Sequence, residues 1–339
     1  MTDDSNELIV EESQEDLHNS FKICHEKLNK AKNEVEKLIR GQGKLIHSVL
    51  RALISRGHVL LEGFPGLGKT VMCRALAEIA QMEFKRVQFT TDLLPSDIVG
   101  IMTYDKQKGF DVLKGPIFTN IMLTDEINRA PPKVQSALLE AMGERQVTLG
   151  KTTHQLHVPF IVLATQNPIE QAGTYPLPEA QLDRFLYKVI VDYPDYDSEF
   201  NIMENNMNTK KMDEFKLNKV LTREDIVAMQ ALVGKVYIDV RLKEYILKIV
   251  RATRNPYEIK LKDASYIRIG ASPRASIFIL HGAKAQALIK GRYYVTPQDI
   301  KDVLHEILRH RIYLSFQSKL AKIDTDNIID EILEKVPIY

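Results

Sequence analysis

Along this chain, short apolar runs alternate with stretches in which apolar residues return every three or four positions. The runs are His58–Glu62, Phe84–Thr90, Ile121–Thr124, Phe160–Ala164 and Tyr187–Val191. Most are continuously apolar, as strands buried on both faces are. The helical spacings fall between them. Phe21, Leu28, Ala31, Val35 and Leu38 form one set, and Leu45, Val49, Leu50, Leu53 and Ile54 form a second that Gly57 ends. Val71–Met82 and Pro132–Glu144 carry the same period. Strands alternating with amphipathic helices predict an α/β fold with a parallel sheet covered on both faces.

Two segments break that rhythm: Gly100–Phe118, and Gln146–His157, whose alternating halves flank Gly150 and Lys151 like a hairpin. Insertions in a regular sheet are candidate working loops. Beyond Pro194 the strands stop, and the Asn-rich stretch Asn201–Lys216 reads as a polar connection into an all-helical remainder. Helix starts there are marked by Thr222 before Glu224 and Asp225, by Ser272-Pro273, and by Thr296-Pro297 with Asp299. The expected organisation is an acidic, disordered tail over 1–18, an α/β core over 19–194, a linker over 195–217 and a helical second domain over 218–339.

The 339 residues leave room for two domains, and the net charge of +1 lacks the basic surplus of a typical nucleic-acid binder. Two cysteines, Cys24 and Cys73, are too few for a disulfide framework and read as free thiols. No apolar run approaches the roughly 18 residues that span a bilayer, and the acidic start is unlike a signal peptide. A soluble, cytoplasmic protein is expected.

Chemistry enters with Gly63-Phe64-Pro65-Gly66-Leu67-Gly68-Lys69-Thr70, which meets every fixed position of the phosphate-loop pattern G-x-x-x-x-G-K-[ST] between a strand and a helix. Its glycines let successive N–H groups point at phosphate oxygens while the next helix presents its positive end. Lys69 is expected to reach the β- and γ-phosphates, and Thr70 to ligate magnesium. Hydrolysis needs more. Asp125 and Glu126 close the third strand, where ligands sit in open α/β sheets; Asp125 is the candidate to hold magnesium through water and Glu126 to activate the attacking water. Asn167 follows the fourth strand and can hold that water. His310 follows His305 by five positions, one more than in the zinc-protease pattern, which turns the second histidine away from the first.

These residues resemble the MoxR family of AAA+ ATPases. The resemblance runs from about Gly41 to Arg274 and is densest at Gly57–Thr70, Asp125–Met142, Ala164–Pro168 and Leu182–Phe185. It implies a five-stranded AAA+ core with a helix-2 insert and a pre-sensor hairpin, a small helical lid, and ATP or ADP with Mg2+ between core and lid. It places Gly41, Gly63, Pro65, Gly66, Leu67, Gly68, Lys69, Thr70 and Val71 at the nucleotide. It makes Asn167 the polar sensor, Arg184 the arginine finger and Arg274 the lid sensor arginine. Arg274 lies just inside a helix start, where the dipole disfavours a cation and an anion such as phosphate would compensate. Departures from the family pattern are Thr124, tolerable if its hydroxyl finds a partner, and Gly143 near a helix end that is commonly charged.

The resemblance further implies a homo-oligomeric, hexameric ring that remodels client proteins, often beside a partner with a von Willebrand factor A domain. A DNA-translocating or chelatase-type motor is the alternative within the superfamily. Against DNA, the hairpin has only Lys151 as a fixed cation and no aromatic for base stacking. A nucleotide-gated binding module with negligible turnover is the alternative of another class; Glu126, Asn167 and Arg184 argue against it.

Overall fold

In the computed structural model, which describes residues 14–106, 109–168, 173–206 and 217–338, two helices come first, α1 (Gln14–Glu36) and α2 (Gly43–Ile54). The α/β part follows as β1 (Val59–Glu62), α3 (Lys69–Ile79), β2 (Phe84–Gln88), α4 (Pro95–Val99), β3 (Gly100–Asp105), β4 (Gly109–Lys114), β5 (Ile121–Asp125), α5 (Pro132–Glu144), β6 (Gln146–Leu149), β7 (Thr152–Gln155), β8 (Ile161–Gln166), α6 (Glu179–Leu182) and β9 (Tyr187–Ile190). Five of these strands pair in parallel in the order β2-β5-β8-β1-β9. Their register, with Gln88 opposite Asp125 and Glu62 opposite both Gln166 and Ile190, brings their carboxyl ends to one edge. That edge is where an open α/β sheet holds its ligands.

Strand alternation divides the core in two. Val59, Leu61, Ile121, Leu123, Ile161 and Leu163 face one cluster, with α1, α2 and α3. Leu60, Met122, Val162 and Ala164 face the other, with Val134, Leu138 and Leu139 of α5. Both insertions are antiparallel hairpins: β3 with β4, and β6 with β7, where Gln146 lies opposite Gln155.

The helical remainder is α7 (Tyr196–Asn206), α8 (Arg223–Lys235), α9 (Val240–Arg254), β10 (Ile267–Ile269), α10 (Pro273–Ile289), α11 (Pro297–Leu308), β11 (Tyr313–Leu314), α12 (Phe316–Leu320) and α13 (Thr325–Lys335). The expected starts are all present. Thr222 and Asp225 cap α8 reciprocally at 3.1 and 3.0 Å, Pro273 opens α10, and Thr296 with Asp299 boxes α11. Among the described residues no helix is long and apolar enough to cross a membrane.

Three differences stand against the sequence reading. Helix α1 begins at Gln14, inside the stretch read as an acidic tail, because Leu17 packs beside Phe21 on the core and Glu15 and Asp16 favour the first turn; residues 1–13 lie outside the described residues. Helix α7 occupies the first half of the expected linker, its start fixed by the Asp195 carboxylate accepting from the Ser198 N–H at 2.8 Å; residues 207–216 lie outside the described residues. Finally, the sheet and the helical remainder share one continuous apolar cluster, from Phe21 through Leu163 to Ile332. Helices α1 and α2 make the join, since α1 touches α3 and α10 while α2 touches β9, α8 and α10.

Candidate functional site

The turn between β1 and α3 is built for close backbone approach. Gly66 and Gly68 both take left-handed backbone, with φ of +85° and +74°, and Gly68 caps α3. Gly63 has no room for a side chain, because a Cβ there would stand 2.5 Å from the Val191 carbonyl. The loop lines a cleft of about 350 Å³ with Pro65, Leu67, Lys69, Thr70 and Val71 on one side and Asp125, Glu126, Gln166 and Asn167 on the other. Lys69 Nζ donates to the Gly63 carbonyl at 2.6 Å. Burial pulls the Lys69 pKa down, and the Asp125 and Glu126 charges push back.

The two acids are held differently. Asp125 accepts from Arg86 Nε at 2.6 Å through Oδ2 and from the Thr165 hydroxyl at 3.2 Å through Oδ1. Glu126 sits in left-handed backbone, φ +57°, costly for a residue with a side chain and a recurrent feature of functional sites. Its N–H donates to Thr165 Oγ1 at 2.9 Å, and its Oε2 accepts from Gln88 at 2.8 Å and Arg129 at 3.1 Å. One threonine therefore ties the Asp125 side chain to the Glu126 backbone. The sequence reading missed Arg86, Gln88 and Thr165. Their signal was polar residues near the carboxyl ends of β2 and β8, beside the acidic pair. Thr124, by contrast, is fully buried, and its hydroxyl finds no hydrogen-bond partner among the described residues, so the partner expected for it is not there.

The donors fit magnesium as part of a shared shell. A threonine hydroxyl and a carboxylate in one cleft are hard oxygen ligands. Among the described residues no group of three or more His, Cys, Asp or Glu could hold a metal. Gly41 does not line the cleft. Its φ is +77°, and a Cβ there would stand 2.6 Å from Ser198, so it serves close packing on α7. The turn before it does border the loop, with Ile39 3.7 Å from where a Gly68 Cβ would lie.

Arg184 and Arg274 are not brought to this cleft, and among the described residues none of the helical remainder lines it. Both arginines line a second cleft that shares no residue with the first. Arg184 Nη1 donates to the Leu139 carbonyl at 2.7 Å, and a Cβ on Gly143 would stand 2.3 Å from that nitrogen. The absent side chain at Gly143 thus makes room for this guanidinium. Arg274 meets Asp183 of the same chain, Nη1 to Oδ2 at 3.4 Å.

Asp183 also anchors the helical remainder. It accepts from Arg311 Nε at 2.7 Å and from the Ser272 hydroxyl at 3.1 Å, while Arg311 Nη2 donates to the Phe185 carbonyl at 2.6 Å. Burial brings the Arg311 pKa down to about 10 against the pull of Asp183. His305 pairs with Asp330 at 2.9 Å and His310 is buried beside the Phe185 carbonyl, so the two histidines do not converge on a metal. Cys73 is buried and Cys24 partly so, both as free thiols.

Comparison with known proteins accords with this geometry. The profile of the ATPase family associated with various cellular activities (AAA) matches residues 58–187, and an AAA lid domain matches 260–332. The chain is 42% identical to Chaperone MoxR1 of Mycobacterium tuberculosis over 313 residues, covering 92% of this chain and 82% of that protein. It is 44% identical to the protein YeaC of Bacillus subtilis over 328 residues, 96% of this chain and 97% of that one. A crystal structure from Cytophaga hutchinsonii, assigned as an ATPase, superposes with a TM-score of 0.87 at 46% identity, covering 94% of this chain and 97% of that one.

Proposed function

The chain belongs to the MoxR family of AAA+ ATPases, and from that premise we propose that it hydrolyses ATP with magnesium and uses the cycle to remodel or mature partner proteins. The observation that supports this best is the convergence of Lys69, Thr70, Asp125, Glu126 and Asn167 on one cleft at the carboxyl edge of the sheet. Lys69 and the loop N–H groups bind the phosphates. Thr70 and Asp125 would hold Mg2+, which when bound neutralises charge on the β- and γ-phosphates. Arg86 and Thr165 fix the Asp125 carboxylate. Glu126 has its Oε2 committed to Gln88 and Arg129, leaving Oε1 to take the proton of the attacking water, which Asn167 helps to hold.

The same reading assigns Arg184 and Arg274 to a neighbour's nucleotide. They lie in a cleft apart from their own phosphate loop, so they complete a site only where two copies meet head to tail, as in a hexameric ring. The family resemblance supports a cytoplasmic machine that acts with a von Willebrand factor A domain partner.

Two variants test the assignment. Lys69→Ala abolishes ATP binding in calorimetry, whereas Glu126→Gln keeps it and loses magnesium-dependent phosphate release. A tagged Glu126→Gln protein pulled down with ATP then retains its client, and the Lys69→Ala protein does not. Wild-type ATP affinity in Lys69→Ala would overturn the phosphate-loop assignment, and undiminished turnover in Glu126→Gln would overturn the hydrolytic one.

A further inference from the structure

The second cleft, about 640 Å³, lies between α2, α5, α8 and α10 and the segment before β9. Arg56, Arg145, Arg184 and Arg274 line it together with His58 and His281, and no carboxylate does. Asp183 meets Arg274 from outside that lining; among the described residues no carboxylate pairs with Arg56, Arg145 or Arg184. Four guanidinium groups sharing one cleft, three of them with no carboxylate partner among the described residues, repel one another and favour a polyanion.

The backbone marks the same two residues. Arg56, just past α2, and Arg145, the C-cap of α5, take left-handed backbone with φ of +56° and +54°. Helix ends in this conformation prefer glycine, and a larger residue there is strained. Arg145 Nη2 donates to the Arg56 carbonyl at 2.9 Å, tying the two helix ends together at the rim. Burial and the Arg56 charge hold the half-buried Arg145 below its usual pKa, so its charge is unrelieved.

We infer that Arg56 and Arg145 belong with Arg184 and Arg274 to one site for a triphosphate, presented by a second copy of this chain from its own phosphate loop. The inference rests on the ATPase reading above and extends it. The two clefts are complementary: one carries the phosphate loop and the acids with a single lining arginine, Arg86, and the other carries four arginines with neither loop nor acid. Neither is complete alone, which is the condition for a heterologous, ring-closing contact. Arg56 and Arg145 would spread along the phosphates charge that Arg184 alone cannot supply to every oxygen.

The test uses full-length Arg56→Gln and Arg145→Gln. The hydrogen bonds Arg56 gives the fold are backbone ones, its N–H to the Leu53 carbonyl at 3.4 Å and its carbonyl accepting from Arg145, so its side-chain variant keeps the wild-type melting temperature even if Arg145→Gln does not. Both are expected to bind ATP with wild-type affinity and to lose kcat by about 10²-fold, the scale of removing one preorganised donor from developing negative charge. Mixing either with Lys69→Ala is expected to restore activity above the additive baseline, because sound phosphate loops then meet sound arginine clefts.

Wild-type kcat in Arg56→Gln, or a loss of ATP affinity equal to the loss of kcat, would overturn the inference. So would absence of rescue in these mixtures where Arg184→Ala mixed with Lys69→Ala is rescued, leaving the ATPase reading intact. If the Arg184 mixture fails as well, the trans assignment itself falls. A soluble polyphosphate is the other source of the same chemistry. Inorganic tripolyphosphate binding to monomeric Lys69→Ala, and lost on adding Arg145→Gln, would overturn the second-copy assignment, whereas no binding supports it.

Discussion

Thr165 Oγ1 accepts from the Glu126 N–H and donates to Asp125, so one side chain sets the backbone of one acid and the carboxylate of the other. Thr165→Val leaves the Glu126 N–H without its acceptor, which costs about 1–3 kcal/mol. Turnover falls further than ATP affinity, because the phosphate loop is untouched; urea denaturation and steady-state kinetics read the two effects. His58 gives a pH signature. Its Nδ1 accepts from the Val162 N–H at 2.9 Å and its Nε2 meets the Met142 carbonyl at 3.3 Å, an arrangement that only the neutral ring with Nε2–H satisfies. Burial pushes its pKa down to about 4. A folded value below the unfolded one of about 6.5 means the unfolded chain takes up the proton first, so this stability is complete above about pH 6.5 and is lost as pH falls toward 4. Between pH 7 and pH 5 His58 alone accounts for about 2 kcal/mol. Denaturation midpoints across that range, flattened in His58→Gln, check the sign.

At the scale of elements, the buried Arg311 at the end of α11 holds the segment between α6 and β9, and that segment carries Arg184. Removing one partner of a buried ion pair costs about 3–5 kcal/mol, so Arg311→Ala lowers the unfolding free energy read from urea denaturation by that amount. Arg311→Lys does not restore it, because a single ammonium cannot serve Asp183 and the Phe185 carbonyl in the geometry of a planar fork. The elements themselves were largely legible in the chain. Apolar runs marked β1, β5, β8 and β9, and local capping chemistry marked α8, α10 and α11, because both signals are short-range. The beginning of α1 and the whole of α7 were not. Their helicity depends on Leu17 docking at the core and on Ser198 packing against Gly41, contacts between residues far apart in sequence.

For the whole molecule, the test is stoichiometric. Arg184→Ala binds ATP normally and hydrolyses it poorly, by ~10³-fold or more if it matches the fingers of small GTPases. Mixed with Lys69→Ala it regains activity, and Arg274→Ala does the same because it shares the cleft. Rates across mixing ratios, with mixed rings verified by native mass spectrometry, check both; an additive baseline throughout would assign these arginines to their own chain.

The sequence by itself determined the glycine turn between β1 and α3 and marked Asp125, Glu126 and Asn167 as its companions in one cleft, because a fixed spacing between a strand and a helix and residues at strand carboxyl ends are local signals. It determined equally that apolar strands would form a parallel sheet with those residues at its carboxyl edge. Only the tertiary structure decided which residues support the acids, since Arg86 and Thr165 reach Asp125 through lateral strand pairing that leaves no trace in local sequence. It alone separated Arg184 and Arg274 from the phosphate-loop cleft and set them with Arg56 and Arg145, because α2, α5, α8 and α10 are distant along the chain and meet only when the helical remainder packs against α1 and α2 on the shared core.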